Sequence, residues 1–206
     1  MKILFLGASG LLGTNLIPYL KLNNIVITPS HKEFDITKPI KKIDCDIVIN
    51  SVAYTDVPKA EIEKEKCFAI NVIGTYNMVK AYPKAHFIYI SSEQVKIPTN
   101  FYLYTKLWGE EVVRTHHKNY LIIRTLFKDN PFPYKKAFIN QWTCGDSVDI
   151  IAPIIAKEVL LHKSNQTIDA VTERKTIFEL ARRTVPNIEG ILVEDIKNVR
   201  LPNDYE

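Results

Sequence analysis

Three glycines, Gly7, Gly10 and Gly13, follow directly on a short apolar run at residues 3–6, at the start of this chain. The apolar run is typical of a buried parallel strand, and residues 14–20 are typical of a helix. Glycines between a strand and a helix let the backbone approach a pyrophosphate, which then meets unpaired N–H groups at the helix N-terminus. The spacing G-x-x-G-x-x-G therefore predicts a dinucleotide site, with an ordinary strand-to-helix turn as the alternative.

Short apolar runs alternate with helical patterns over the following residues. The runs at 25–28, 46–50, 86–90 and 120–124 are typical of strands that are buried on both faces, and helical spacing covers 61–81 and 102–116. This alternation predicts an α/β fold, a Rossmann-like doubly wound parallel sheet.

The pattern changes after Arg124. A Pro-rich breaker at 128–133 precedes a helix at 149–162, a short strand at 167–170 and a helix at 175–183, and residues 201–206 show no clear pattern. We expect a dinucleotide-binding domain at 1–127 and a small C-terminal α/β lobe on the substrate side at 128–206, with packing of both as one domain left open.

Composition limits the partners and the cellular compartment. The net charge of +4 is spread along the chain, which argues against nucleic-acid binding, and no apolar run approaches the roughly 20 residues that span a membrane. Three well-separated cysteines without C-x-x-C argue against disulfides and zinc, and Asp56, Glu61 and Glu93 lack the arrangement of a metal site. We expect a cytoplasmic protein without a metal.

A candidate catalytic pair lies in the segment Y-L-Y-T-K. Tyr102 and Lys106 are four residues apart on a predicted helix, so both side chains lie on one face. A nearby ammonium is expected to lower the pKa of the phenol, which makes Tyr102 a usable proton donor. Ser92 follows a predicted strand and would stand at the ligand-binding edge of the sheet. An exposed pair on a helix is the alternative.

Segments along nearly the whole chain resemble one family in order. They include G-A-S-G-L-L-G at 7–13, F-D-I-T at 34–37, N-S-V-A-Y-T-D at 50–56, I-S-S-E at 90–93, F-Y-L-Y-T-K at 101–106 and N-Q-W at 140–142. On these segments the chain resembles the extended short-chain dehydrogenases/reductases that act on sugar nucleotides. Among these it is most similar to the dTDP-4-dehydrorhamnose reductases.

The resemblance implies roles for individual residues. Tyr102 would be the general acid, Lys106 would hold the nicotinamide ribose, and Ser92 would hydrogen-bond the substrate oxygen. Substrate would contact Ser92, Glu93, Tyr102 and Trp142. The cofactor-binding set would be Gly7, Ser9, Gly10, Leu11, Leu12, Gly13, Ser30, His31, Lys32, Asp35, Ile36, Ser51, Ala53, Tyr54, Asn71 and Lys106.

The implied activity is NAD(P)H-dependent reduction of a nucleotide-linked 4-keto-6-deoxy sugar, with or without epimerisation. Ser30, His31 and Lys32 follow the second strand without a carboxylate before Glu33, which favours the 2′-phosphate of NADPH, with NAD as a second possibility. The family's substrate loop after Ser92 is largely missing here. A non-catalytic dinucleotide-binding regulatory protein is therefore the alternative, and a homodimer is left open.

Overall fold

A computed structural model describes residues 1–195, and its centre is a six-stranded parallel sheet. The elements of the described part alternate as expected for βαβ units. The strands are β1 Lys2–Leu6, β2 Ile25–Ile27, β3 Ile47–Asn50, β4 His86–Ser92, β5 Tyr120–Thr125, β6 Phe127–Lys128, β7 Lys136–Phe138, β8 Trp142–Thr143, β9 Asp146–Ser147, β10 Gln166–Ala170, β11 Lys175–Thr176 and β12 Glu189–Ile191. The helices are α1 Leu11–Leu20, α2 Val57–Ala60, α3 Lys64–Phe68, α4 Thr75–Ala81, α5 Phe101–His116, α6 Val148–Leu160 and α7 Ile177–Arg182.

The order of the strands across the sheet is β10-β5-β4-β3-β1-β2. Every neighbouring pair is parallel, with Leu6 beside Asn50 and Ser92 beside Thr125 at the carboxyl ends. The chain therefore reverses direction across the sheet between β1 and β3, and ligands of such sheets bind beyond the carboxyl ends near that switch point. The predicted Rossmann-like fold is confirmed.

Alternate residues of the strands are buried on opposite faces of the sheet. Ile3 and Phe5 pack with α1 and α6 on one face, whereas Leu4 and Leu6 pack with α4 and α5 on the other. All four side chains are at most 2% exposed. Because both faces are covered by helices, the strands can be apolar throughout, which is the pattern that the sequence carries.

The helix predicted at 61–81 is broken into three parts. α3 ends at Phe68, a π-helical segment covers Ala69–Gly74, and α4 follows directly. A Cβ at Gly74 would lie 2.6 Å from the Ile36 side chain, so the glycine lets this turn pack against the loop after β2. Such π-helical turns within helices are frequent at functional sites, and this one carries Asn71.

Residues beyond 127 contribute both to the main sheet and to smaller structures. α6 covers one face of the sheet and β10 extends its edge, whereas β6–β9, β7–β12 and β8–β11 form two-stranded sheets. A small separate core gathers Phe132, Ala137, Ala181 and Ile188. The division into 1–127 and 128–206 stays a prediction, and residues 196–206, with the unpatterned segment 201–206, lie outside the described residues. Within the described part, no helix combines the length and apolarity needed to cross a membrane.

Candidate active site

The glycine turn connects β1 to α1, as predicted. Gly7 has a φ of +83°, and a Cβ there would lie 2.5 Å from the Ser51 Oγ, so the position requires glycine. Ser51 in turn donates a hydrogen bond to the Leu6 carbonyl at 2.8 Å. No side chain caps α1 at its N-cap, Gly10, which leaves N–H groups of the first turn available to an anion.

The other two glycines of the turn have different surroundings. A Cβ at Gly13 would lie 2.4 Å from the Ala8 carbonyl oxygen, because α1 passes directly against the turn. A Cβ at Gly10 would meet only the Gly7 carbonyl oxygen, at 3.3 Å, and Gly10 is exposed. Gly13 is therefore needed for packing within the turn, whereas Gly10 borders open space.

The turn opens into a cleft of about 910 Å³, a volume in the range of small-molecule and cofactor sites. Eleven of the residues predicted to bind a cofactor line it: Gly7, Ser9, Gly10, Leu11, Leu12, Gly13, His31, Asp35, Ile36, Ser51 and Ala53. Five do not: Ser30, Lys32, Tyr54, Asn71 and Lys106.

The segment after β2 forms a compact turn around a carboxylate. Glu33 Oε2 accepts hydrogen bonds from the backbone N–H of Ser30 at 2.9 Å and from its hydroxyl at 2.7 Å, and these bonds lower the pKa of Glu33. The Ser30 hydroxyl is thus committed to Glu33, contrary to the expectation that it serves a 2′-phosphate. His31 is the basic residue of this segment that lines the cleft, since Lys32 is exposed outside it.

Asp35 is held in place by the residue two positions later. Its Oδ1 accepts from both the hydroxyl and the backbone N–H of Thr37, at 2.7 and 2.9 Å, and the pKa of Asp35 is lowered chiefly by the hydroxyl. Asp35, Ile36 and Thr37 all line the cleft, so this hydrogen-bonded turn forms part of its wall.

Asn71 is a buried connector between two chain segments. It is 1% exposed; its Oδ1 accepts from the Tyr54 N–H at 2.7 Å, and its Nδ2 donates to the Thr105 hydroxyl at 2.8 Å. Tyr54 is itself buried, beside Cys67 and Tyr102. Asn71 and Tyr54 therefore fix α5 against the loop after β3 and do not border the cleft.

Lys106 lies on α5 and is 2% exposed. Its ammonium donates to the Ile90 carbonyl of β4 at 2.7 Å and lies 4.3 Å from the centre of the Tyr89 ring. Burial lowers the pKa of Lys106 to about 7. An ammonium has three donors, so the bond to Ile90 leaves two of them for a ligand.

Tyr102 lies in the first turn of α5, where the Asn100 side chain caps the helix by accepting from the Leu103 N–H at 2.9 Å. Burial raises the pKa of Tyr102 to about 12, which is opposite to the lowering expected from Lys106. The sequence spacing places the two residues on one helix face but carries no information on burial, and burial dominates here. The hydroxyl therefore keeps its proton at neutral pH, as a general acid must.

Ser92 ends β4 and is 6% exposed. Its Oγ accepts the Gln94 N–H at 3.3 Å and so caps the short 3₁₀ turn that follows. A hydroxyl that accepts there can still donate its own proton to another oxygen. The next residue, Glu93, is buried, with the Lys96 ammonium at 3.5 Å.

An ion-pair network that the sequence analysis did not single out holds the C-terminal half of α5. Glu110 is fully buried and accepts two bonds from Arg124 of β5, at 2.9 and 2.7 Å, and one from Arg114 at 2.7 Å. Burial would raise the pKa of Glu110, but the hydrogen bonds, led by Arg124, outweigh it and lower the pKa. The network fixes the helix that carries Tyr102 and Lys106 to the sheet.

Two further regions bear on where a substrate would bind. Trp142, predicted to contact substrate, lies on β8 with the Arg174 guanidinium 4.6 Å from its ring, and it does not line the cleft. Residues after β5, which sequence reasoning missed, line it instead: Phe127, Lys128, Asp129, Pro133 and Tyr134. Lys128, Asp129 and Pro133 fall in the breaker segment 128–133, Phe127 and Tyr134 flank it, and no motif marks any of them.

Comparison with known proteins places this geometry in a family. Residues 1–153 match the RmlD substrate binding domain. The chain is 28% identical over 176 residues to the dTDP-4-dehydrorhamnose reductase of Mycolicibacterium smegmatis, which covers 73% of this chain and 54% of that protein. The chain thus spans about half the length of the curated relatives it matches.

Solved structures share the fold over nearly the whole chain. A dTDP-4-dehydrorhamnose reductase from Clostridium acetobutylicum has a TM-score of 0.86 at 23% identity, covering 98% of this chain and 88% of that one. A dTDP-4-dehydrorhamnose reductase from Bacillus anthracis, solved in complex with NADP, has a TM-score of 0.80 at 24% identity, covering 94% and 85%.

Proposed function

The chain belongs to the RmlD substrate binding domain family, and from this we propose that it is an NADPH-dependent reductase of a nucleotide-linked 4-keto-6-deoxy sugar. The observation that carries the proposal is the uncapped glycine turn at the carboxyl edge of the sheet, opening into a cleft of dinucleotide size. The names of the relatives support an enzyme over a regulatory protein.

The residues of the cleft fit a dinucleotide. Gly7 and Gly13 hold the turn in a shape that side chains would prevent, and Gly10 leaves its outer face open. Pyrophosphate would lie on the α1 N-terminus, and the adenosine end would contact His31 and the Asp35–Thr37 turn. When bound, the nicotinamide supplies a hydride to the substrate carbonyl.

The chain's own side chains would manage the charge on that carbonyl oxygen. We assign Ser92 as the hydrogen-bond donor that polarises the oxygen and Tyr102 as the acid that protonates it. Lys106, anchored to the Ile90 carbonyl, would direct its remaining donors to the nicotinamide ribose. The proposal covers reduction with or without epimerisation, and contacts of Glu93 and Trp142 with the sugar stay predictions.

The proposal is tested by mixing the purified chain with NADPH and a dTDP-linked 4-keto-6-deoxy sugar and following NADPH oxidation. We expect oxidation only when both compounds are present. Dinucleotide binding without turnover on any such sugar would favour the regulatory alternative. A cytoplasmic location remains a prediction of the same proposal.

We expect NADPH to bind more tightly than NADH, with NADH still accepted. His31 lines the cleft and can pair with a 2′-phosphate, whereas the nearby Glu33 carboxylate opposes it. His31→Ala should reduce the preference about two- to fivefold, the value of an exposed ion pair. Calorimetric titration with both cofactors measures this, and Lys32→Ala is the matched control. Equal affinities in the parent protein, or tighter NADH binding, would refute the preference.

We also propose that the protein forms a homodimer through an aromatic face on α3 and α5. Trp108, 41% exposed, has ring contacts with Phe68 at 5.8 Å and with Phe101 and Tyr104 at 6.1 Å. Exposed clusters of this kind mark interfaces. Sedimentation velocity should give a dimer that Trp108→Glu dissociates, whereas Leu22→Glu, at an exposed apolar position elsewhere, leaves it intact. A monomeric parent protein would exclude the dimer.

A further inference from the structure

One wall of the cleft comes from the segment that follows β5. Lys128 ends β6 and is half-buried, and Tyr134, 57% exposed, lies six residues later. Both line the same cleft as the glycine turn. The proposed roles of the glycine turn, Ser92, Tyr102 and Lys106 make no use of this wall.

Lys128 differs from the other lysine of the cleft in its partners. The Lys66 ammonium lies 3.0 Å from Glu63 Oε2 and is neutralised by it. Over residues 1–195, the Lys128 ammonium has neither an ion-pair nor a hydrogen-bond partner, and its contact is the Tyr134 ring, 5.4 Å from Nζ to the ring centre. The cleft therefore contains a cation whose charge is not matched by a contacting carboxylate.

Burial without a partner has an energetic cost for an ammonium. Here burial lowers the pKa of Lys128, and the negative charge of Asp129 offsets only part of that effect. An anion entering the cleft would supply the missing counter-charge and regain the hydrogen bonds that burial removes. The Tyr134 ring lies against the Lys128 ammonium and, being largely exposed, offers an aromatic face to the same ligand.

We propose that Lys128 and Tyr134 form a binding site for the diphosphate group of a nucleotide in this cleft, an inference that rests on the proposed function. A lysine ammonium is a compact point charge suited to phosphate oxygens. Under the proposed function two ligands carry a diphosphate, the dinucleotide cofactor and the nucleotide-linked sugar. The chemistry is the same for both, and the experiment distinguishes them.

The test compares Lys128→Met with Lys135→Met, which removes the same charge from an exposed lysine that does not line the cleft. Each protein is titrated calorimetrically with NADPH and, separately, with thymidine diphosphate. Because a hydrogen bond to a charged group contributes strongly to the binding free energy, Lys128→Met should weaken binding of one probe about tenfold or more. Lys128→Arg should restore most of it, and Lys135→Met should match the parent. Circular dichroism verifies that each variant is folded.

If Lys128→Met weakens NADPH binding, the diphosphate that Lys128 binds is that of the cofactor. If it weakens thymidine diphosphate binding, the diphosphate is that of the nucleotide-linked substrate. If both probes bind Lys128→Met as they bind Lys135→Met, the inference is wrong, while NADPH binding by the parent leaves the proposed function standing. If the parent binds neither probe, both fail.

Tyr134 is tested with a second pair of variants. Tyr134→Leu should weaken binding of the probe that Lys128→Met affects, by about two- to fivefold, through loss of the ring. Tyr134→Phe should retain the parent affinity for that probe. Equal affinities for Tyr134→Leu and the parent would remove the tyrosine from the site.

Discussion

Replacing Tyr102 by phenylalanine is expected to lower kcat by about a hundredfold to ten-thousandfold, the usual contribution of a general acid, while leaving NADPH affinity nearly unchanged. The substitution removes one oxygen and retains the ring, which packs beside Tyr54, Ala60 and Cys67. Because burial holds the pKa of Tyr102 near 12, the hydroxyl of the parent is protonated throughout the physiological range. The variant therefore loses the proton donor without losing the helix that carries it.

The measurement is steady-state NADPH oxidation with a dTDP-linked 4-keto-6-deoxy sugar, together with calorimetric titration of NADPH. Tyr104→Phe is the matched control, since Tyr104 lies on the same helix, is 43% exposed and contacts the Trp108 ring. Turnover by Tyr102→Phe at the parent rate would show that the proton comes from another group.

The architecture of the sheet could be predicted because the relevant signals are local. Each apolar run has four or five residues, which suits a strand and is too short for a helix, and the turn after β1 contains the glycines that it requires. Ile3 and Leu4 face opposite helical layers, so continuous apolarity was the correct signal for a strand covered on both sides. The shorter strands, such as β8 at Trp142–Thr143, contain too few residues for any periodicity to be visible.

The break of the predicted helix at 61–81 depends on contacts far along the chain. Gly74 packs against Ile36, and Asn71 bonds to Tyr54 and Thr105. A helical pattern predicts which face of the segment is buried, but it does not show that a neighbouring loop requires a π-helical turn there. The ion pair of Glu110 was not predictable for the same reason, because its partner Arg124 lies on another element, the strand β5.

The predicted cofactor residues coincide best with the lining of the cleft within one turn, the glycine turn. The glycine positions follow from the space that a phosphate needs, and most of the cofactor residues named from the resemblance line the cleft. The pKa of Tyr102 was not predictable in the same way, because it depends on the burial of the side chain in three dimensions. The hydrogen bond of Ser30 to Glu33 joins residues three apart and is local, but the prediction assigned the Ser30 hydroxyl to a 2′-phosphate instead.

Gly10→Val is expected to abolish dinucleotide binding while the protein stays folded. The φ of Gly10 is −77°, which any residue can adopt, and its Cβ would meet only the Gly7 carbonyl oxygen at 3.3 Å, a tight contact that a small shift of this exposed turn relieves. The valine side chain would then occupy the space over the α1 N-terminus that the pyrophosphate needs. Calorimetric titration with NADPH measures the loss, and a thermal melt close to that of the parent shows that the fold is intact.

Gly13→Val provides the contrast within the same turn, because its Cβ would lie 2.4 Å from the Ala8 carbonyl oxygen and 2.6 Å from the Ala8 Cα. Backbone atoms cannot yield as a side chain does, so this variant should lose about 1–3 kcal/mol or more of folding free energy as well as binding. A melting temperature of Gly13→Val equal to that of the parent would contradict the packing role given to Gly13. Retained NADPH binding in Gly10→Val would refute phosphate binding at the glycine turn, because a phosphate on the α1 N-terminus and a valine side chain at residue 10 require the same space.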